Sequence, residues 1–170
     1  DKIIVLGVAS TWDVRKGLND FIKLSSMLSD EYRIVLVGVS KEEKARLPQS
    51  ILGIERTNSV EELAEIYSAA DVFLNPTWQD SFPTTNLEAM ACGTPVVTYR
   101  TGGSPESLTT ETGKVVAQGD LAALVSGVEE ICQKGKEAYV AACRQRAVEN
   151  YNKEDRYMDY VMLYQKNAEE

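Results

Sequence analysis

The chain has 170 residues, of which 44% are hydrophobic and 26% are charged, and its formal net charge is −8. These values are typical of one globular domain with a core. The negative charge argues against the basic face of a nucleic-acid-binding protein, and no apolar run in the sequence approaches the roughly 20 residues of a membrane span. The sequence contains no histidine, which excludes a Ser-His-Asp triad and the commonest zinc ligands within this chain.

Apolar runs and helical periodicities alternate along the chain. Nearly continuous apolar runs, typical of strands buried on both faces, predict strands over 2–9, 33–39, 51–55, 71–75, 95–99 and 113–116. Helical spacing and capping-box patterns at 40–43 and 59–62 predict helices over 17–28, 40–47, 59–70, 86–91, 119–133, 136–150 and 153–167. Because strands joined through single helices pair in parallel, we expect an α/β fold, a doubly wound parallel sheet of about six strands.

Ligands of such folds bind beyond the carboxyl ends of the strands. The loops expected at a cleft are therefore 9–17, 39–41, 56–59, 76–85 and 100–106. Trp12 and Trp78 lie in two of these loops, where a sugar or a base could stack on them. We favour a structural role for both rings, as loop anchors that pack on the domain itself. The helix predicted over 153–167 has a wide apolar surface, which packs either on this domain or on another one.

Loop 76–85 and the helix after it combine an anion site with two carboxylates. The free N–H groups and the positive dipole end of a helix N-terminus suit a diphosphate, and Thr84 and Thr85 add hydroxyl donors. Asp80 and Glu88 flank this position, and carboxylates accept hydrogen bonds from the hydroxyls of a hexose or a ribose. The alternative is structural: Thr85 to Glu88 forms another capping box, and Asp80 is an ordinary turn residue.

The wider sequence resembles a known family. The segments Ala70-Asp-Val-Phe-Leu-Asn-Pro76-Thr, Asp80-Ser-Phe-Pro83, Glu88-Ala-Met-Ala-Cys-Gly-Thr-Pro-Val-Val97 and Gly102-Gly-Ser-Pro-Glu106 resemble the C-terminal, donor-binding domain of GT-B glycosyltransferases, specifically the retaining family 4 (group 1, glycogen-synthase- and mannosyltransferase-like). That family has two acidic residues separated by seven others, a spacing that Asp80 and Glu88 share. The resemblance covers nearly the whole chain and implies the Rossmann-like half of a GT-B fold.

The resemblance implies that the donor is a nucleoside-diphosphate sugar. It assigns the transferred sugar to Asp80, the ribose hydroxyls to Glu88, and the phosphates to Lys16 and the backbone amides of 81–85. The predicted catalytic residues are therefore Lys16 and Asp80. The predicted donor-binding residues are Ser10, Arg15, Lys16, Arg56, Thr57, Asp80, Ser81, Phe82, Pro83, Thr84, Thr85 and Glu88.

Three positions depart from the family pattern. The family usually has Glu where Asp80 stands and Gly where Pro83 stands, and it often has Arg at the position of Ser10. Asp is one methylene shorter than Glu, and Pro has no N–H. Arg15 could replace the lost guanidinium, although the alternative is that Arg15 and Lys16 are both solvated loop charges. Arg56, in the region where the family holds the nucleobase, could equally be a surface residue.

The resemblance implies a retaining glycosyltransferase of polysaccharide biosynthesis that transfers a hexosyl unit to a glycan or lipid-linked acceptor. The resemblance implies that positive groups and helix dipoles stabilise the leaving diphosphate, so we expect no required metal or other cofactor, and the absence of an Asp-x-Asp motif agrees with this expectation. The expected partners are the nucleotide-sugar donor and a missing N-terminal acceptor domain, without nucleic acid, and the isolated domain is expected to be inactive. The alternatives are a non-enzymatic sugar-nucleotide-binding module and a GT-B nucleotide-sugar epimerase.

The domain assignment and the cellular location follow from simple sequence features. The chain starts at Asp1, directly before a predicted core strand, so we expect residues 1–170 to be a domain excised from a longer two-domain chain. A processed full-length chain is the alternative. Three cysteines without a CxxC pair suit a reducing compartment. We therefore expect a cytoplasmic protein, whose contact with the inner face of a membrane, if any, comes through the missing domain.

Overall fold

The computed structural model describes residues 2–168, and its six strands and eight α-helices alternate over most of that length. The strands, β1 to β6 in chain order, are Ile3–Val8, Tyr32–Val37, Ile51–Ile54, Val72–Asn75, Val96–Tyr99 and Gly113–Val116. The helices, α1 to α8, are Leu18–Leu24, Lys41–Arg46, Val60–Ala69, Thr84–Ala91, Ser104–Ser107, Leu121–Lys134, Glu137–Tyr151 and Lys153–Ala168. A one-turn 3-10 helix, Val14–Lys16, precedes α1.

The six strands form one all-parallel sheet in the order β3-β2-β1-β4-β5-β6. The predicted α/β class and the strand number are therefore confirmed. The direction in which strands are added reverses between β1 and β4, and the crevice at such a switch point is where doubly wound folds bind ligands. Val5 and Leu6 of β1 are fully buried, which explains why this central strand has a continuous apolar sequence.

One predicted helix boundary and one predicted loop differ from the structure. The helix predicted over 17–28 ends at Leu24, and the hydroxyls of Ser25 and Ser26 donate to the carbonyl oxygens of Ile22 and Lys23. Such side-chain bonds to nearby carbonyls compete with helical hydrogen bonds. The loop predicted over 100–107 contains the four-residue helix α5, which has a proline in its first turn.

The two predicted capping boxes have different outcomes. Ser40 forms the complete motif with Glu43, because each side chain accepts a hydrogen bond from the other residue's backbone N–H. Ser59 accepts from the N–H of Glu62, but the Glu62 carboxylate accepts from the backbone and side-chain nitrogens of Asn58 instead of from Ser59. The second box is therefore only half formed, since the asparagine offers that carboxylate two donors.

The final helix, α8, leaves its apolar face exposed. Its side chains with exposed fractions of 43% to 72% are those of Tyr157, Met158, Tyr160, Val161, Met162, Leu163 and Tyr164. Of the two alternatives for this surface, packing on the same domain is therefore not observed. Within residues 2–168, no helix has the length and apolar character needed to cross a membrane.

Candidate functional site

A cleft of about 690 Å³ opens beyond the carboxyl ends of β1, β2 and β3 and beside the N-terminus of α4. This is the edge of the sheet at which the strand order reverses. Ten of the residues predicted for donor binding line it: Ser10, Lys16, Arg56, Thr57, Asp80, Phe82, Pro83, Thr84, Thr85 and Glu88. The fold therefore brings together residues that are up to 78 positions apart, from 10 to 88.

Lys16 and Asp80 form an ion pair at this cleft, with Nζ 2.7 Å from Oδ2. Lys16 ends the 3-10 turn, and the Asp13 side chain caps this turn by accepting a hydrogen bond from the Lys16 N–H. Gly17 follows with a φ of +77°, and a Cβ there would stand 2.3 Å from the carbonyl oxygen of Pro76. The glycine therefore lets the lysine turn pass directly against the start of the Asp80 loop.

Gly102 and Gly103, in the loop after β5, contact the backbone of the Asp80 loop. The N–H of Gly103 donates to the carbonyl of Ser81 at 2.9 Å. Gly102 has a φ of +47°, and a Cβ there would come within 1.7 Å of the Asp80 carbonyl oxygen. Neither glycine lines the cleft. Their observed role is to allow close backbone approach, which fixes the path of residues 80 and 81.

Glu88 contacts a tyrosine rather than the end of its own helix. Helix α4 begins at Thr84, two residues earlier than predicted, with Pro83 at the N-cap, so Glu88 lies in the second turn. The capping-box alternative for Glu88 is therefore wrong. Its Oε2 accepts a hydrogen bond of 2.9 Å from the hydroxyl of Tyr67, which is 1% exposed. Burial, and then the Glu88 carboxylate, raise the pKa of Tyr67 well above its usual value.

No side chain caps the N-terminus of α4. A proline at the N-cap lacks the N–H of that position, and the backbone donors of Thr84 and Thr85 follow it in the first turn. Beneath this turn, the amide of Asn86 accepts from Asn75 Nδ2 at 2.8 Å and donates to Ser107 Oγ at 3.0 Å. These buried bonds hold the first turn of α4 between β4 and α5, so its amides have a fixed direction.

Two of the predicted donor-binding residues do not line the cleft. The Arg15 guanidinium pairs with Asp13 at 2.6 Å, and 68% of its side chain is exposed. This pairing raises the pKa of Arg15 and lowers that of Asp13. The proposed replacement of a family arginine by Arg15 therefore has no support in this geometry, because a local carboxylate holds the side chain. Ser81 is exposed and contributes its carbonyl to Gly103.

Six residues that the sequence did not single out also line the cleft: Val8, Ala9, Val37, Gly38, Glu55 and Leu63. Gly38 directly follows β2 with a φ of +90°, and a Cβ there would stand 1.7 Å from the carbonyl oxygen of Ala9. A glycine at the carboxyl end of a strand was the available signal. Glu55 follows β3 and Leu63 lies in α3, and no sequence motif around either residue marks it as a site residue.

Both tryptophans of the cleft loops are anchors, as predicted. Trp12 is 5% exposed and donates from Nε1 to the carbonyl of Val37 at 3.0 Å. Trp78 donates from Nε1 to Oδ2 of Asp20 at 2.7 Å and contacts Tyr99 edge-on, with ring centroids 5.8 Å apart. Neither lines the cleft. In the described part of the chain, 2–168, no three Cys, Asp or Glu side chains are grouped as metal ligands would be.

A sequence model of the family described as "Glycosyl transferases group 1" matches residues 2–134. The chain belongs to this family. Like solved structures of GT-B glycosyltransferases, this group 1 glycosyltransferase chain has an α/β architecture with six parallel strands. The family resemblance and the fold that it implied are thereby confirmed.

Two curated relatives of this group 1 chain show how much of a longer protein it matches. It is 43% identical over 74 residues to the D-inositol 3-phosphate glycosyltransferase of Corynebacterium jeikeium, an alignment covering 40% of this chain and 18% of that protein. It is 33% identical over 134 residues to the alpha-maltose-1-phosphate synthase of Mycobacterium tuberculosis (strain ATCC 25618 / H37Rv), covering 74% of this chain and 33% of that one.

Solved structures share the fold over nearly the whole group 1 chain. Sucrose-phosphate synthase from Thermosynechococcus elongatus matches with a TM-score of 0.85 at 26% identity, covering 98% of this chain and 45% of that one. Anabaena Alr3699/HepE, in complex with UDP-glucose, matches with a TM-score of 0.75 at 19% identity, covering 98% and 48%. The chain therefore spans less than half the length of each of these proteins.

Proposed function

We propose that this chain binds a nucleoside-diphosphate sugar as the donor domain of a retaining glycosyltransferase, which transfers a hexosyl unit to a glycan or lipid-linked acceptor. One observation carries the proposal. A single cleft contains a lysine–aspartate pair, an uncapped helix N-terminus and a second carboxylate, namely Lys16 with Asp80, α4 and Glu88. Each part matches a different group of such a donor.

The diphosphate suits the positive part of the cleft. The uncapped N-terminus of α4 presents backbone donors and the positive end of the helix dipole. Lys16 adds a full positive charge to the same cleft. As the sugar–phosphate bond breaks, negative charge develops on the departing diphosphate, and these fixed groups stabilise it. We propose this stabilisation in place of a required metal ion.

The two carboxylates suit the two sugars of the donor. Asp80 and Glu88 lie at opposite ends of the segment that opens α4, and both line the cleft. Asp80 accepts hydrogen bonds from the transferred hexose, and Glu88 accepts from the ribose. One solved protein of the same fold, Anabaena Alr3699/HepE, is described in complex with UDP-glucose and in complex with UDP, which supports this class of donor. Titration with different nucleotide sugars would identify the base and the hexose of the donor.

The acceptor requires a second domain. This chain spans 45% of the sucrose-phosphate synthase chain and 33% of the aligned maltose-1-phosphate synthase. The exposed apolar side chains of α8 supply a surface for contact with that second domain. We expect the isolated chain to bind donor weakly and to transfer no sugar, with the complete enzyme acting in the cytoplasm in polysaccharide biosynthesis.

Titration of the chain with UDP-, GDP- and ADP-sugars, followed by calorimetry or NMR, tests the proposal. We expect binding of one nucleotide class, with amide shifts in Thr84 and Thr85, and loss of that binding in the Lys16→Ala and Glu88→Ala variants. Lys23→Ala, an exposed lysine of α1, is the matched control. If no nucleotide sugar binds even at millimolar concentration, or if both cleft variants bind like the parent, the donor-site proposal is wrong.

A transfer assay, and not the titration, separates the enzyme from a non-enzymatic binding module. Both would bind the donor, so the complete protein must be assayed for transfer of a labelled hexose. The names of the two curated relatives, a glycosyltransferase and a synthase, favour the enzyme. If the complete protein binds the donor but forms no glycosylated acceptor and releases no nucleoside diphosphate, the binding module is favoured over the enzyme.

A further inference from the structure

Asp20 is the only charged side chain in the described range 2–168 that is buried, with 3% of its surface exposed. It forms no ion pair with the residues of that range. Instead, its Oδ2 accepts two hydrogen bonds, from Trp78 Nε1 at 2.7 Å and from the Tyr99 hydroxyl at 3.2 Å. Burying a carboxylate without a cation is unfavourable, so these two donors are what hold it in the core.

The two hydrogen bonds join three separate parts of the fold. Asp20 lies in the first turn of α1, four residues after Lys16, and Tyr99 ends β5. Trp78 lies in the loop after β4, two residues before Asp80. The Asp20 carboxylate therefore ties the segment that carries the cleft lysine to the loop that carries the cleft aspartate. Neither Asp20 nor its donors line the cleft itself.

Backbone contacts reinforce the same junction. The carbonyl of Arg15 accepts from the Trp78 N–H at 2.7 Å and from the Thr77 hydroxyl at 3.1 Å. The Trp78 ring packs edge-on against Tyr99, and a Cβ added at Gly119 would stand 3.1 Å from it. The indole is therefore held on two sides. Its third constraint is the hydrogen bond to Asp20, which also sets the rotation of the ring.

We propose that Asp20 is a positioning residue of the cleft: through Trp78 it holds the Asp80 loop against the lysine turn and so sets the Lys16–Asp80 separation. That separation is 2.7 Å in this structure. The proposal rests on the proposed donor-binding function only for its effect on ligand affinity. Its structural part, the coupling of Asp20 to the Asp80 loop, can be measured without any ligand.

Four variants of the chain test the role. Asp20→Ala removes the acceptor, whereas Asp20→Asn keeps a side-chain oxygen that can accept from both donors. Trp78→Phe removes one donor while keeping an aromatic ring, and it replaces Asp20→Ala if that variant fails to fold. Trp12→Phe is the matched control, because it also removes an indole hydrogen bond, to the carbonyl of Val37, but lies outside the Asp80 loop.

The first measurement needs no nucleotide. Backbone amide spectra of each variant are compared with those of the parent, together with urea unfolding. We expect Asp20→Ala to shift the amide signals of Lys16 and Asp80, and Asp20→Asn to restore them. Trp12→Phe is expected to lose stability without shifting the Asp80 signal. If Asp20→Ala and Trp12→Phe lose similar stability and both leave the Asp80 signal unchanged, Asp20 is only a core residue and the proposal is wrong.

The second measurement separates positioning from general destabilisation. UDP-glucose and uridine are titrated into each variant that the unfolding curves show to be fully folded. We expect Asp20→Ala to weaken UDP-glucose binding about tenfold, because small misplacement of positioned groups has large effects, and to leave uridine binding unchanged. Asp20→Asn should recover most of that affinity. Equal weakening of both ligands would contradict a role that acts through Lys16 and Asp80.

A double-mutant cycle identifies the route of the effect. If Asp20 acts by placing Asp80, the tenfold loss of UDP-glucose affinity in Asp20→Ala shrinks when Asp80 is already replaced in Asp80→Asn. Independent, additive losses would overturn this route. If the parent binds neither UDP-glucose nor any other nucleotide sugar, the donor proposal fails, and the amide spectra alone then decide whether Asp20 positions the loop.

Discussion

The two carboxylates of the cleft are held by partners of opposite character. Asp80 lies on a loop and pairs with the charged, partly exposed Lys16. Glu88 lies on a helix and accepts from the neutral hydroxyl of Tyr67, which is buried. A bound diphosphate would compete with Asp80 for the lysine, since both are anions. The diphosphate would not displace the Tyr67 hydroxyl from Glu88, because that hydroxyl is neutral and buried.

This difference indicates that donor binding changes one end of the cleft more than the other. At the Asp80 end, the ammonium must be shared between the carboxylate and the phosphates, so the ion pair is exchangeable. At the Glu88 end, the carboxylate is already oriented by a group from the core, so binding there uses a pre-formed acceptor. This contrast can be tested first at Lys16, the cation of the ion pair.

Lys16→Ala is expected to have the largest effect on binding. The variant removes the charge that balances the diphosphate and leaves Asp80 without its cation. Because a hydrogen bond to a charged group contributes about 1.5–3 kcal/mol, we expect donor affinity to fall about 100-fold. Calorimetric titration at low and at high salt checks this, with Lys23→Ala as the control. A loss of less than about threefold would show that α4 binds the phosphates without the lysine.

Glu88→Ala is expected to lower donor affinity about tenfold and to destabilise the fold as well. Truncation leaves the buried hydroxyl of Tyr67 without its partner, which costs about 1–3 kcal/mol. Glu88→Gln keeps an oxygen for Tyr67, so its stability is expected to stay near that of the parent while its donor affinity still falls. Urea unfolding and titration of both variants separate the two roles. Equal destabilisation by Gln and Ala would contradict the tyrosine contact.

The architecture could be predicted because its determinants are local in the sequence. Each parallel strand is buried on both faces and therefore is a short apolar run, as Val5 and Leu6 of β1 illustrate. Right-handed crossovers then leave few ways to order the strands. The cleft residues from 80 to 88 were predictable because they are close together in the sequence, on one loop and the start of α4.

The details of the cleft could not be predicted, because competing partners come from elsewhere. The patterns at 40–43 and 85–88 look alike, but Pro83 starts α4 early and Tyr67, 21 residues away, takes the Glu88 carboxylate. Arg15 is turned away by Asp13, only two residues before it. The hydrogen bonds of Asp20 reach across 58 and 79 residues, which no local pattern reveals.

Asp80→Asn is expected to change two affinities in opposite directions. The variant frees the Lys16 ammonium from its ion pair, so a nucleoside diphosphate without sugar should bind about threefold more tightly. The nucleotide sugar should bind about threefold more weakly, because the amide is a poorer acceptor for hexose hydroxyls than a carboxylate. Parallel titrations with UDP and UDP-glucose give the ratio. A change of the same sign for both ligands would show that the ion pair does not compete with the diphosphate.

Tyr67→Phe is expected to have the smallest effect, visible as a change in the pH dependence of stability. Burial and the Glu88 carboxylate raise the pKa of Tyr67 in the folded chain, whereas the pKa of a tyrosine in the unfolded chain is about 10. The folded state therefore keeps the proton in a range where the unfolded state loses it. The stabilisation is complete below that range and is lost as the pH rises, by at most about 1.4 kcal/mol per pH unit from this group.

Removing the hydroxyl should therefore flatten the fall in stability at alkaline pH. Urea unfolding of the parent and Tyr67→Phe at pH 9, 10 and 11 (about one unit apart across the tyrosine range) measures the two slopes. Tyr157→Phe, which replaces an exposed tyrosine of α8, is the control and should leave the parental slope. If Tyr67→Phe keeps that slope too, the tyrosine is not held protonated beside Glu88. The carboxylate would then lack the fixed orientation that distinguishes it from Asp80.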